Sequence, residues 1–338
     1  MRFLGIETSC DDTGISIVEQ NKDLIISYIY NQLKDHISYG GVVPELASKK
    51  HLEVIIKLIK KTILKPKLTI KSLTVLAYTA GSGMFGSLLI GTTIGCALAY
   101  SLNISSLAIN HLEGHILTPM LNNKVCFPYI VAIVSGGHSE MLLVYKLGVY
   151  IRIGKTIDDS VGEVFDKAAK LLELSYPSGI SLSNIASAGI PNNYRLPYPM
   201  QTKPTINISL SGLKTLVTTL LKKKLKTTQT KADIAKALED TIITVLLNIC
   251  NKALASNNVN RLAIVGGVSA NGSLRNYMKV LMKPIKGAVY SSDIKLCSDN
   301  GAMIAFSGLT KNIPIKTIIN KSLSVLIKPT WNLAYNIM

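Results

Sequence analysis

Arg2-Phe3-Leu4-Gly5-Ile6 runs into Glu7-Thr8-Ser9-Cys10-Asp11-Asp12-Thr13-Gly14 and out again through Ile15-Ser16-Ile17-Val18. An apolar run, a turn of small and acidic residues and a second apolar run is the pattern of a β-hairpin. Residues 129–145 repeat it. Tyr129-Ile130-Val131-Ala132-Ile133-Val134 leads to Ser135-Gly136-Gly137-His138-Ser139-Glu140, and Met141-Leu142-Leu143-Val144-Tyr145 follows. Two such hairpins roughly 130 residues apart imply two related lobes, each opening on its own turn.

Helical periodicity fills the space between and after them. It predicts helices over 43–61, 87–100 and 110–121, then over 162–174 and 231–256. A short buried strand is expected at 262–265, running into Gly266-Gly267. A last helix is expected over 299–308, capped by Ser298 or Asp299. Strands alternating with helices make this an α/β chain.

Composition narrows the class. The 338 residues are 48% hydrophobic but only 6% aromatic, so the core is aliphatic, as in buried parallel strands. The formal net charge of +17 favours a polyanionic partner, because phosphate contacts dominate nucleic-acid affinity. Five scattered cysteines without a C-x-x-C pair exclude a disulfide framework or a cysteine zinc site. That usage, and an N-terminus opening directly on a strand, point to the reducing cytoplasm. The segment 72–110 lacks any Asp, Glu, Lys or Arg and is long enough to span a bilayer. Its five glycines instead favour a strand, a glycine turn and a buried helix, so no membrane association is expected.

Chemistry concentrates at His111-Leu112-Glu113-Gly114-His115. Histidines at i and i+4 share one helix face and can reach one ion. In the H-E-x-x-H zinc-protease motif the glutamate directly follows the first histidine. Here Glu113 lies two residues on, about 200° around the axis, which argues against peptide hydrolysis. A carboxylate is the natural third ligand. Asp158, Asp159, Asp166, Asp293 and Asp299 are candidates, and spacing does not choose among them. Three turns could approach a phosphate-bearing ligand: residues 8–14, 135–139 and 266–272.

Together these blocks resemble the transferase that makes threonylcarbamoyladenosine in tRNA, a family with the actin, Hsp70 and sugar-kinase fold. The resemblance covers essentially the whole chain. It rests on Gly5 to Thr13, Tyr39 to Ser48, His111 to His115, Ser135 to His138, Gly162 to Lys167, Ser211 to Lys214, Gly266 to Asn271 and Cys297 to Ala305. It implies two actin-like (RNase H-like) lobes of mixed sheet flanked by helices, with a cleft between them. The expected lobes are 1–115 and 116–304, with 305–338 packing back on the first. It also implies that His111, His115 and Asp299 bind one divalent metal, iron or else zinc. Ile133, Val134, Ser135, Gly136, Gly137, His138, Asp166, Gly179 and Asn271 would line the site for threonylcarbamoyl-AMP. The acceptor would be the N6 amine of adenosine 37 in tRNAs reading codons that begin with A. The implied partners are an inactive paralogue and a small P-loop ATPase.

The chain departs from the family's pattern at several places. Gly81-Ser82-Gly83 stands for Gly-Pro-Gly, Ser139 for Thr, Lys49 for Arg and Leu210 for Phe, and Tyr176-Pro177-Ser178-Gly179-Ile180 for Tyr-Pro-Gly-Gly-Pro. None of these removes a metal ligand. On the residues themselves, Asp11 and Asp12 are the candidates for the base that takes the acceptor amine's proton. Two other readings compete: a non-catalytic nucleotide-binding partner subunit and a metalloprotease. The His pair argues against the first, and the direction of Glu113 against the second.

Overall fold

The computed structural model describes residues 1–64, 68–175, 178–201, 203, 205–223, 227–311, 325–333 and 335–336. The chain divides into two compact units. Unit 1 is Met1–Asn123 with Ser292–Leu333, and unit 2 is Lys124–Ser291 with Ala334–Met338.

Unit 1 holds β1 (Arg2–Glu7), β2 (Asp12–Glu19), β3 (Leu24–Asn31), α1 (Leu33–His36), α2 (Pro44–Ile63), β4 (Val75–Gly81), α3 (Phe85–Leu102), β5 (Ser105–Asn110), α4 (His111–Leu117) and α5 (Pro119–Asn122). Its sheet runs β3-β2-β1-β4-β5, with β1–β2 and β2–β3 antiparallel and the other pairs parallel. Alternate residues of β1 and β4 enter opposite cores, as the two-residue period of a strand requires. Phe3, Val75 and Ala77 face a late helix, Gly301–Thr310; Leu4, Ile6, Leu76 and Tyr78 face α2 and α3.

Unit 2 repeats the pattern. It holds β6 (Tyr129–Val134), β7 (Ser139–Lys146), β8 (Val149–Lys155), α6 (Val161–Leu171), α7 (Ser178–Ala186), α8 (Ser211–Lys223), α9 (Thr228–Asn257), β9 (Arg261–Val265), α10 (Gly272–Met282), β10 (Ala288–Ser291) and the two-residue β11 (Tyr335–Asn336); the late helix of unit 1 is α11. The sheet order is β10-β9-β6-β7-β8-β11. As β1 does, β6 pairs antiparallel with the next strand and parallel with a later one. The duplication visible in the two hairpins therefore extends to five strands per sheet. Ile130, Ala132 and Val134 of β6 pack with Val164 and Phe165 of α6 and Leu238 and Ile242 of α9.

Three expectations change in detail. The segment expected as one helix over 110–121 breaks after Leu117, because Pro119 has no N–H to continue the ladder. The uncharged stretch does form strand, turn and helix, and α3 is long and apolar enough to cross a membrane. It packs against β4 and α2, yet it is less buried than expected, since Phe85, Leu89 and Tyr100 are exposed. The last helix starts at Gly301 and is capped by Asn300, whose Oδ1 accepts Met303 N–H at 3.0 Å. Neither Ser298 nor Asp299 is the cap, because Asp299 turns to His115 instead.

Glycines let α11 reach the sheet. A Cβ on Gly5 would collide with the Gly301 carbonyl, and one on Gly14 with the Gly301 N–H. The start of α11 thus rests directly on the β1–β2 hairpin, which delivers Asp299 to the same end of the sheet as the first turn.

Candidate functional site

The candidate metal-ligating group, His111, His115 and Asp299, lies in unit 1. Asn110 ends β5 and caps α4, its Oδ1 accepting the N–H groups of Leu112 at 2.9 Å and Glu113 at 3.4 Å. The helix therefore begins at His111 and places His115 one turn on. Both imidazoles turn Nε2 toward Asp299 Oδ1, at 3.6 Å for His111 and 3.0 Å for His115. The ligand atoms of the three residues lie within 4.8 Å of one another, close enough to hold one metal ion. Two neutral-capable nitrogens and one carboxylate suit a divalent transition metal and leave further positions open. Burial would pull the His111 imidazole down, but the Asp299 and Glu7 carboxylates outweigh it and raise it to about 9.

The other candidate third ligands are engaged elsewhere. Asp158 accepts Ser209 and Ser211 hydroxyls and the Leu210 N–H at the start of α8. Burial works against that carboxylate, but these hydrogen bonds hold it below its usual range. Asp159 pairs with Lys167, and Asp293 accepts the Lys295 N–H. Asp166 lines a pocket described below. Glu113 is buried and pairs with Lys311 Nζ at 3.3 Å. That ion pair gives it a role other than activating water, against the metalloprotease reading.

The first turn lies beside the triad. Ser9 Oγ is 3.0 Å from His111 Nδ1. Asp12 opens β2, is 9% exposed, and accepts Asn31 Nδ2 at 2.6 Å. Burial, with the charges of Asp299 and Asp11, pushes its carboxyl up to about 8, although Asn31 pulls the other way. Asp11 is more exposed. Burial, with the charges of Asp11 and Asp299, pushes the Cys10 thiol far above its usual range, which disfavours its thiolate. His51 braces the turn: its Nε2–H donates to the Cys10 carbonyl at 2.8 Å, and its Nδ1 lies 2.7 Å from the Thr13 hydroxyl.

The remaining expected residues belong to unit 2. Gly136, Asp166, Gly179 and Asn271 line one pocket of about 450 Å³. Ser135, Gly137 and His138 form the turn around Gly136, closed by the Ser135 N–H to the His138 carbonyl at 2.8 Å. Ile133 and Val134 bury their side chains in the sheet, which leaves them only backbone to offer a ligand. Gly266 has φ +91°, and a Cβ there would strike the Val134 carbonyl, so only glycine lets the third turn close on β6. Asn271 is held on three sides. Its Oδ1 caps α10 through Leu274 N–H at 2.9 Å, and its Nδ2 donates to Glu239 Oε1 at 2.7 Å and Ser183 Oγ at 3.2 Å. Ser183 and the buried Glu239 escaped the sequence reading. A lone glutamate on the apolar side of a long amphipathic helix was the signal that could have found Glu239.

The chain as a whole is similar to known proteins. The family model for TsaD, tRNA N6-adenosine threonylcarbamoyltransferase, matches residues 23–306. The protein of that name from Buchnera aphidicola subsp. Acyrthosiphon pisum (strain Tuc7) is 47% identical over 335 residues, 98% of each chain. Its counterpart from Buchnera aphidicola subsp. Schizaphis graminum (strain Sg) is 46% identical over the same span. Among solved structures, full-length HypF in its phosphate- and nucleotide-bound form aligns with a TM-score of 0.60 at 15% identity. That alignment covers 92% of this chain and 55% of HypF, so the chain spans about half of that protein's length. Component A of (R)-2-hydroxyglutaryl-CoA dehydratase from Acidaminococcus fermentans aligns with a TM-score of 0.54 at 12% identity, over 92% of this chain and 98% of that one. At such low identity these two show the fold alone, the expected actin-like α/β architecture.

Proposed function

The chain belongs to the tRNA N6-adenosine threonylcarbamoyltransferase family, and on that premise we propose that His111, His115 and Asp299 hold a divalent metal, and that the unit 2 pocket takes threonylcarbamoyl-AMP. The chain's activity is the family's acyl transfer to the N6 amine of adenosine in tRNA. The observation that carries the metal assignment is the convergence of both Nε2 atoms on Asp299 Oδ1. The metal is iron in this reading, with zinc the alternative, and when bound it would supply positive charge to oxygens of the donor.

In the transfer, the amine of adenosine 37 forms a bond to the carbamoyl carbon, the carbon–oxygen bond to phosphate breaks, and AMP leaves. The amine also loses a proton. Asp12 is our candidate acceptor for it, because it stands on the turn whose Ser9 touches His111, and because burial raises its carboxyl to about 8, close to the working pH, where the ionised fraction is a stronger base than an ordinary carboxylate. Asp11 is the alternative on the same turn. Gly136, with no side chain and open space where a Cβ would lie, lets a ligand approach the turn backbone of unit 2. Asp166, Gly179 and Asn271 complete that lining.

The partners follow from the same reading. The net charge of +17 suits tRNA, whose phosphates would position it and whose binding would then weaken steeply with salt. An inactive paralogue and a small P-loop ATPase would complete the assembly, in the cytoplasm. Exposed Leu52 and Ile56 on α2, and Phe85 and Leu89 on α3, offer a protein partner an apolar surface.

The test pairs metal analysis of protein purified without chelator with mass spectrometry of tRNA nucleosides. Loss of both metal and threonylcarbamoyladenosine in H111A/H115A is the expected result. Full modification by that variant would favour the non-catalytic partner subunit.

A further inference from the structure

We propose that Glu7 is the positioning residue that fixes His111 as a metal ligand. The inference rests on the metal reading above and deepens it.

Glu7 is the last residue of β1 and fully buried at 0% exposure. A carboxyl there must find donors, and it has three. Its Oε1 accepts the Ser9 N–H at 2.6 Å. Its Oε2 accepts the Thr79 hydroxyl at 2.6 Å and lies 3.3 Å from His111 Nδ1. A carboxylate facing Nδ1 favours the tautomer with its proton on that atom, since the other tautomer would set a lone pair against an acceptor. Ser9 Oγ also lies 3.0 Å from Nδ1, but a hydroxyl accepts as readily as it donates, so the carboxylate decides the tautomer: Nδ1 carries the proton, shared between Glu7 and Ser9 Oγ, and the lone pair sits on Nε2. Nε2 is the atom that faces Asp299 Oδ1 at 3.6 Å. A carboxylate behind a ligating imidazole also fixes the ring's orientation and raises its basicity as a ligand. Glu7 is anchored for this role from both sides: the Ser9 N–H comes from the first turn, and the Thr79 hydroxyl from β4. A purely structural Glu7 would serve the Ser9 and Thr79 donors alone.

The experiment titrates the full-length, metal-depleted protein with Co²⁺ in competition with a chelator, and records the visible spectrum of the Co²⁺ form. Glu7→Gln is expected to lower Co²⁺ affinity by about 10–100-fold and to shift the ligand-field bands, the usual effect of losing such a partner. Thr79→Val, which loosens the carboxylate without touching His111, is expected to give a smaller loss of the same kind and keeps the test open should Glu7→Gln fail to fold. A fall in the melting temperature of the metal-free Glu7→Gln protein, with Co²⁺ affinity and spectrum unchanged, would reduce Glu7 to a structural role and overturn the proposal. Wild-type Co²⁺ binding by Thr79→Val would do the same where Glu7→Gln does not fold. If H111A/H115A binds Co²⁺ as the wild type does, the metal reading itself fails, which separates the two failures.

Discussion

His115 Nε2 lies 3.0 Å from Asp299 Oδ1 although 184 residues separate them in the chain. The contact joins α4 to the entry of α11 and sets a carboxylate against the histidine pair, the proposed third metal ligand. Asp299→Asn keeps the size and removes the anionic oxygen. It is expected to lower metal content to a small fraction of wild type and transfer by at least about 100-fold. Metal analysis beside a nucleoside assay checks both. Wild-type metal content in Asp299→Asn would remove this residue from the ligand set.

Parts of this site were legible in the sequence because they are local. The hairpins show as alternation of apolar runs and turns, and the His pair as a four-residue step. Asp299 could not be separated from Asp158, Asp159, Asp166 and Asp293 by spacing, because its place depends on where α11 lands. Topology brings Asp299 beside the His pair, through the close approach of Gly5, Gly14 and Gly301. Glu7 was read as part of a turn, yet it is a buried strand residue that accepts from the Ser9 N–H and the Thr79 hydroxyl and faces His111 Nδ1. The cue was a carboxylate continuing an apolar run, which burial makes costly unless it is paired. Asn300 displaced the expected cap because Asp299 had a stronger claim elsewhere.

Asp12 links stability to pH in a direction opposite to most carboxylates. Its folded value of about 8 stands above its unfolded value of about 4, so the folded state holds the proton more tightly. The stability it contributes is full below about pH 4 and is lost as pH rises toward 8. Asp12→Asn is therefore expected to stabilise the metal-free protein, by little near pH 4 and most above pH 8. If Asp12 takes the amine's proton, the same variant slows transfer by about 100-fold or more. Melting curves across pH and single-turnover assays give the two readings, and full transfer by Asp12→Asn would leave Asp11 as the base.

Asn271 works for the pocket and for its helix at once. Asn271→Ala removes the α10 cap, at a cost of about 1 kcal/mol, and leaves the buried Glu239 with Ser183. Donor affinity is expected to fall at least about 10-fold while the protein stays folded. Isothermal titration with a non-hydrolysable analogue of the adenylate measures this. Unchanged affinity would take Asn271 out of the ligand lining.

Asp233 shows the ordinary sign of a carboxylate. It is buried, and the Ile190 N–H at 2.8 Å, Gln229 Nε2 at 2.7 Å and Asn193 Nδ2 at 2.6 Å hold it below its usual range against burial. The stability it contributes is present above its unfolded value near 4 and is lost as pH falls through the folded one. Asp233→Ala is expected to cost about 2–3 kcal/mol at neutral pH, the worth of hydrogen bonds to a charged group. Urea titrations at pH 7 and near pH 3 should show the difference from wild type shrinking at the lower pH.

The exposed face of α3 tests the assembly. Phe85 is 59% exposed and Leu89 39%, on a helix with no charged residue along its length. Leu52 and Ile56 are exposed on α2, which packs against α3. Water-facing apolar side chains at four-residue steps add nothing to the fold of unit 1, so their replacement should be cheap in the isolated chain. Phe85→Glu is expected to leave the melting temperature within about 2 °C, since surface changes rarely exceed about 0.5 kcal/mol. Across an interface the same charge would be desolvated without a partner, which costs several kcal/mol and should lower affinity for the proposed paralogous partner by at least about 100-fold. Sedimentation of the purified chain with that subunit reads the loss. A Phe85→Glu chain that still assembles at wild-type affinity would move the interface off this face, and a chain that melts early would mean that Phe85 serves the fold.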